Sequence, residues 1–172
     1  TIFHVDKHIV TAVDHISFSI PEKSVLGLVG ESGSGKSVTA YSILNLLPPN
    51  GHIRNGEILW EGKDLRTYSE KQFRHIRGSQ IALIFQNPLS ALNPVFTIGN
   101  QMIETIQLHQ SVTKLEAENI AIDLLSKVSI ADPKKRLSDY PHQFSLGMCQ
   151  RIMIALSLSM KPKLLIADEP TA

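Results

Sequence analysis

The chain is short of cysteine, of aromatics and of net charge. Cys149 is the single cysteine in 172 residues, so no internal disulfide can form and a reducing compartment is the simple reading. Seventeen basic against sixteen acidic side chains leave a formal charge of +1, which gives no electrostatic case for nucleic acid or an anionic membrane. There is no run of 18 apolar residues, so nothing in the sequence predicts a membrane-spanning helix. No signal peptide is visible, and the chain opens on Thr1 rather than Met, which suggests a trimmed start. Aromatics make up 6% of residues, yet apolar residues reach 42% and charged ones 19%, a globular composition with enough apolar mass for a core.

The patterning predicts strands first and helices later. Residues 1–10 and 12–20 read as strands, the second alternating Ile16, Phe18 and Ile20 on one face. The apolar run at 24–29 predicts a short buried strand. Residues 36–47 read as a helix closed by Pro48-Pro49-Asn50-Gly51. Residues 56–65 read as two short strands about a Glu61-Gly62 turn, 69–77 as a short helix and 81–85 as another strand. Residues 86–94 read as a loop held open by Pro88 and Pro94. Helical spacing follows at 98–109 and at 113–128. The second helix opens on a Thr113/Glu116 capping box and lines up Ile120, Leu124 and Val128. Residues 145–160 predict a further helix stopped by Pro162, and Lys163–Asp168 a last strand. The fold class is therefore an α/β core with two side lobes.

Two stretches carry chemistry. Gly30-Glu31-Ser32-Gly33-Ser34-Gly35-Lys36-Ser37 fits G-x-x-x-x-G-K-[ST] between an apolar run and a helix, the context this pattern requires. Glycines let the backbone wind tightly around a phosphate, with N–H groups and a helix N-terminus turned toward it. Lys36 would reach the β- and γ-phosphates, and Ser37 would set a hydroxyl on Mg²⁺. The bland alternative is a flexible turn that happens to hold a lysine, and chance yields the pattern in well under about one chain in a hundred of this length. The second stretch is the end of the last strand. Asp168 there can hold Mg²⁺ through its water shell, and Glu169 occupies the position of a general base for phosphoryl transfer to water. A solvated acidic strand end is the alternative, and alone it would be preferred.

Together these residues resemble the ATP-binding subunit of an ABC transporter. GESGSGKS resembles that family's Walker A motif, LLIADE its Walker B motif with catalytic glutamate, and Gln86 in IFQNP its Q-loop glutamine. FSLGMCQR stands where the family has its LSGGQ-type signature. The stretches GESGSGKSVTAYSILNLLP, IFQNPLSALNPVFTIGNQ, DYPHQFS and IADEPTA are most similar to the oligopeptide and dipeptide importers, including the Yej-type group. Nickel importers are close relatives.

The resemblance implies a P-loop NTPase fold of the ABC ATPase type. Residues 1–29 and 52–66 would form the antiparallel β lobe and P-loop strand, and 30–47 the P-loop and its helix. Residues 81–94 would be the Q-loop region, 95–160 the helical subdomain, and 163–172 the Walker B segment. It implies ATP and Mg²⁺ as ligands, with Gly30 to Val38 on the nucleotide and Ser37, Gln86 and Asp168 at the metal. Lys36, Gln86 and Glu169 would be catalytic. Phe3 is the candidate for stacking on adenine, against the plainer role of one more strand residue in the core. Ser145, Leu146, Gly147 and Met148 would close on the ATP of a second ATP-binding subunit. Other implied partners are transmembrane permease subunits and, indirectly, a substrate-binding protein, with the chain peripheral on the cytoplasmic face of the inner membrane.

Two departures stand out. Leu146 replaces a glycine of the signature, adding bulk and removing freedom at positive φ, and Cys149 replaces a polar or basic residue. The family's D-loop and switch histidine do not occur before residue 172, so the resemblance implies a fragment lacking part of its sheet and inactive alone. The open alternatives are another small-solute importer ATPase, a soluble ABC-type ATPase acting on DNA or ribosomes, and a module that binds nucleotide without turnover.

Overall fold

The computed structural model describes residues 1–170, which fall into two compact units divided between Arg74 and His75. In the first unit, β1 (Ile2–Val5) and β2 (His8–Thr11) form an antiparallel hairpin about Asp6-Lys7, with Asp6 at φ 52. Helix α1 (Lys36–Ile43) follows the glycine loop, and β3 (Gly51–His52) adds to the free edge of β1, giving the order β2-β1-β3. Strands β4 (Leu59–Trp60) and β5 (Lys63–Asp64) make the expected second hairpin. Its turn residues, Glu61 at φ 49 and Gly62 at φ 78, are both left-handed, as a two-residue turn matching strand twist requires. Helix α2 (Glu70–Ile76) begins near the end of this unit.

Four expectations fail here, the first being a single strand over residues 1–10, which instead folds back at Asp6-Lys7 into β1 and β2. Residues 12–20 form no strand, and Ile16, Phe18 and Ile20 remain exposed. Residues 24–29 form no strand either: Val25 is 99% and Val29 95% exposed. A buried strand exists only when neighbours accept its N–H and C=O groups on both edges. Among the described residues no strand pairs with either stretch. Helix α1 is also shorter than 36–47. It stops at Ile43, Asn45 turns left-handed at φ 51, and the Leu46 N–H reaches back to the Tyr41 carbonyl at 2.9 Å, closing the C-terminus.

In the second unit, β6 (Ile81–Ile84) is buried at every position. Residues 86–94 are not an open loop throughout, because α3 (Pro88–Ala91) forms within them. Asn87 caps α3 through Oδ1, which accepts from the Leu89 N–H at 3.0 Å, and Pro88 sits where a missing N–H costs nothing. Helices α4 (Ile98–His109), α5 (Lys114–Lys127) and the short α6 (Pro133–Arg136) precede α7 (Leu146–Leu158) and β7 (Leu164–Ala167). The Thr113/Glu116 capping box on α5 is present in both directions.

The core of this unit lies among α4, α5 and α7. Ile98, Met102 and Ile106 from α4, Ala117, Ala121 and Leu125 from α5, and Cys149, Ile152 and Ala155 from α7 are all fully buried. Full burial of an Ile, Leu or Met side chain contributes about 1.5–3 kcal/mol. The expected α5 face is thus one row off. Ile120, Leu124 and Val128 flank the buried stripe as partly covered residues, since helices that pack closely put alanine at the contact line. Strands β6 and β7 pair in parallel, Ile81 to Leu164 through Ile84 to Ala167.

Candidate functional site

The glycine loop is wound by its own sequence. Gly33 and Gly35 have φ of 81 and 92, a region costly to side chains. Gly35 is further constrained, since a Cβ there would lie 2.4 Å from the Ala12 carbonyl oxygen and 3.2 Å from a Val13 methyl. The loop opens directly into α1, whose first residues are Lys36, Ser37 and Val38. Lys36 folds back so that Nζ donates to the carbonyls of Gly30 and Glu31, both at 2.8 Å. An ammonium carries three donors, so one remains for a ligand oxygen over the loop. Glu31, Ser32 and Ser34 line the exposed outer turn, with the Ser34 N–H on the Glu31 carbonyl at 3.2 Å.

Phe3 lies on β1 and is half-buried. Its ring lies across Gly51, where a Cβ would come within 2.7 Å of it. The ring therefore occupies the space over a neighbouring strand's glycine.

In the second unit the parallel register does the assembling. Because Ile84 lies beside Ala167, the residues just past both strand ends are neighbours. The Asp168 N–H donates to the Ile84 carbonyl at 3.0 Å, and Asp168 is 6% exposed. One residue on, the Gln86 amide Nε2 donates to Glu169 Oε2 at 2.5 Å. A carboxylate only accepts, so the Gln86 amide must turn its nitrogen to Glu169, which leaves its carbonyl oxygen facing elsewhere. Glu169 holds φ 48, a left-handed conformation that costs a non-glycine residue about 1–2 kcal/mol.

The signature stretch forms the start of α7. Ser145 is the N-cap, its hydroxyl accepting from the Met148 N–H at 3.3 Å. Leu146 is the first helical residue and does not have positive φ, so the conformational objection to leucine disappears. Its side chain, 56% exposed, is the remaining change. A Cβ at Gly147 would meet nothing within 4 Å. Cys149 packs into the core, where burial pushes its thiol pKa up. His142 stacks on Tyr140 just ahead of the helix. The Asn87 cap was missed in the sequence, although an Asn-Pro pair at a helix start is a readable signal.

The family model described as "ABC transporter" matches residues 13–172. The chain belongs to the ABC transporter family. It is 51% identical over 170 residues to the peptidoglycan transport ATP-binding protein YejF of Agrobacterium fabrum, covering 98% of this chain and 31% of that protein. It is 49% identical over 160 residues to the dipeptide transport ATP-binding protein DppD of Escherichia coli, covering 93% of this chain and 49% of that one. The chain thus spans a third to a half of the length of these relatives. Among solved structures, the dimeric MJ0796, a bacterial ABC transporter cassette, superposes with a TM-score of 0.85 at 25% identity, over 99% of this chain and 71% of that one. The expected α/β ABC ATPase fold is borne out by that likeness. Among the described residues, no helix is long and apolar enough to cross a membrane.

Proposed function

We propose that this chain is the nucleotide-binding part of a protein that binds and hydrolyses ATP to energise the import of oligopeptides or dipeptides. The observation that carries the reading is the Gly30–Ser37 loop, wound by two left-handed glycines into α1 with the Lys36 ammonium drawn over it. Loop N–H groups and the start of α1 suit the phosphates, and Lys36 neutralises charge on the β- and γ-phosphoryl oxygens. Peptide cargo is favoured by the relatives' names and by the stretches around Gln86 and Tyr140.

Glu169 is the proposed general base. The attacking water loses its proton to this carboxylate as its oxygen bonds to the γ-phosphorus, and the bond to ADP breaks on the opposite side. Gln86 orients Glu169 through Nε2 and offers its carbonyl oxygen to the water or the metal. Among the described residues no three His, Cys, Asp or Glu side chains cluster as a metal site. Mg²⁺ asks for less from a protein, holding most of its shell from water and phosphate oxygens. The Asp168 carboxylate, the Ser37 hydroxyl and the Gln86 amide oxygen are hard donors of the kind it takes, and when bound it would neutralise charge on the β- and γ-phosphates.

Ser145 to Met148, at an exposed helix start, are proposed to meet the nucleotide of a second ATP-binding subunit. Permease subunits and a substrate-binding protein complete the proposed assembly, with this chain peripheral on the cytoplasmic side of the inner membrane. Calorimetric titration of the intact protein with Mg-ATP tests the reading. Charge-assisted hydrogen bonds are worth about 1.5–3 kcal/mol, so Lys36→Ala should bind at least about tenfold more weakly. Equal affinity would remove Lys36 from the site.

A further inference from the structure

The backbone at Glu169 is unfavourable for two reasons. Its φ is positive, and it precedes Pro170, whose ring drives the preceding residue toward extended geometry with negative φ. Such a conformation persists where its surroundings hold it on both sides. On the N-terminal side the holder is the Asp168 N–H on the Ile84 carbonyl at 3.0 Å. On the C-terminal side it is a side chain from elsewhere in the unit: the Gln150 amide Nε2 donates to the Pro170 carbonyl. Proline has no N–H, so that carbonyl is the only backbone group through which Pro170 can be tied by a hydrogen bond.

Gln150 is well placed as an anchor. It lies in the second turn of α7, between Cys149 and Ile152, both fully buried, so the helix beneath it is fixed by packing. It is half-buried itself, away from the exposed helix start at Ser145 and Leu146.

We propose that Gln150 is a positioning residue for Glu169. By holding the Pro170 carbonyl it keeps the left-handed turn that presents the Glu169 carboxylate to Gln86. This rests on the proposed role of Glu169 as base, and Gln150 acts through that residue rather than on the nucleotide.

The test uses the intact protein and three variants. Gln150→Met keeps size and helix propensity but loses the donor. Gln150→Lys keeps a donor, and Glu169→Gln removes the base. Misplacing a reacting group by about 1 Å costs up to about a hundredfold, so Gln150→Met should lower kcat by about tenfold to a hundredfold. Its KM for ATP should stay within about twofold, and its thermal midpoint should not move. Gln150→Lys should recover most of the lost kcat. Wild-type kcat in Gln150→Met, with Glu169→Gln inactive, overturns the positioning role alone. So does a loss of kcat matched by equal losses in ATP affinity and thermal midpoint, which would mark a packing role. Normal turnover in Glu169→Gln overturns the base assignment and the positioning role with it.

Discussion

Gly99 and Gly147 both lie in the first turn of a helix, and the same substitution should act on them with opposite sign. At Gly99 a Cβ would lie 2.7 Å from the Leu137 carbonyl oxygen and 3.0 Å from the Leu137 Cβ. The nearer atom is backbone and cannot rotate away. The close approach exists because residues 137–139 satisfy the start of α4: the Gly99 N–H donates to Leu137 O at 2.8 Å and the Ile98 N–H to Asp139 O at 2.9 Å. Gly99→Ala must push this segment off. Overpacking costs about 1–3 kcal/mol, and two weakened hydrogen bonds cost about 1 kcal/mol each. Alanine's better helix propensity returns at most about 1 kcal/mol. The net is a destabilisation of about 2–4 kcal/mol, taking these three contributions together. At Gly147 only the propensity gain applies, because a Cβ there meets nothing within 4 Å. Native-state hydrogen exchange, read on peptides covering α4 and α7, measures both. In Gly99→Ala, α4 amides should exchange about thirtyfold to several hundredfold faster, while Gly147→Ala leaves α7 protected as well as or better than before. Unchanged protection of α4 in Gly99→Ala would refute the close-approach argument.

Two further outcomes follow from the electrostatics. Asp64 is held down to about 2, chiefly by the hydrogen bond from the Arg66 side chain and then by backbone N–H groups of Arg66 and Ile58, against an ordinary value of 3.8. Its folded pKa is the lower one, so its contribution to stability is present above about pH 4 and is lost as pH falls toward 2. An acid titration of unfolding midpoint in wild type and Asp64→Asn should show the two curves converging across that window, and parallel curves would contradict it. Cys149 is fully buried with its thiol pushed up by burial, so a thiol reagent at neutral pH should label it only after unfolding. Rapid labelling of the native protein would contradict the packing of α7.

Local signals were the legible ones. The Glu61-Gly62 turn and the Thr113/Glu116 box are each written in two to four adjacent residues, and each forms where it was expected. The apolar runs at 12–20 and 24–29 misled, because alternation and hydrophobicity state that a segment can be buried in a sheet and nothing about who pairs with it. Along α5 the sequence shows a helix, but choosing Ala117, Ala121 and Leu125 over the larger Ile120, Leu124 and Val128 takes knowledge of how closely α4 and α7 approach. The candidate site divides in the same way. The glycine loop is contiguous and could be read directly, while the positive φ at Gly33 and Gly35 came from the structure. That Gln86 meets Glu169 is a consequence of the β6–β7 register, which joins residues 83 positions apart and has no local signature. Gln150 is more hidden still, being one polar residue on a mostly apolar helix.

The central claim is that Glu169 takes the proton from the water that attacks ATP. Glu169→Gln keeps the size of the side chain and can still engage Gln86 through its carbonyl oxygen, but it cannot accept that proton. The decisive measurement is steady-state phosphate release by the intact Glu169→Gln protein, alongside its affinity for Mg-ATP. Turnover should be abolished while ATP binding is retained, with the protein accumulating as a dimer that holds ATP. Phosphate release at the wild-type rate would place the base elsewhere and contradict the account.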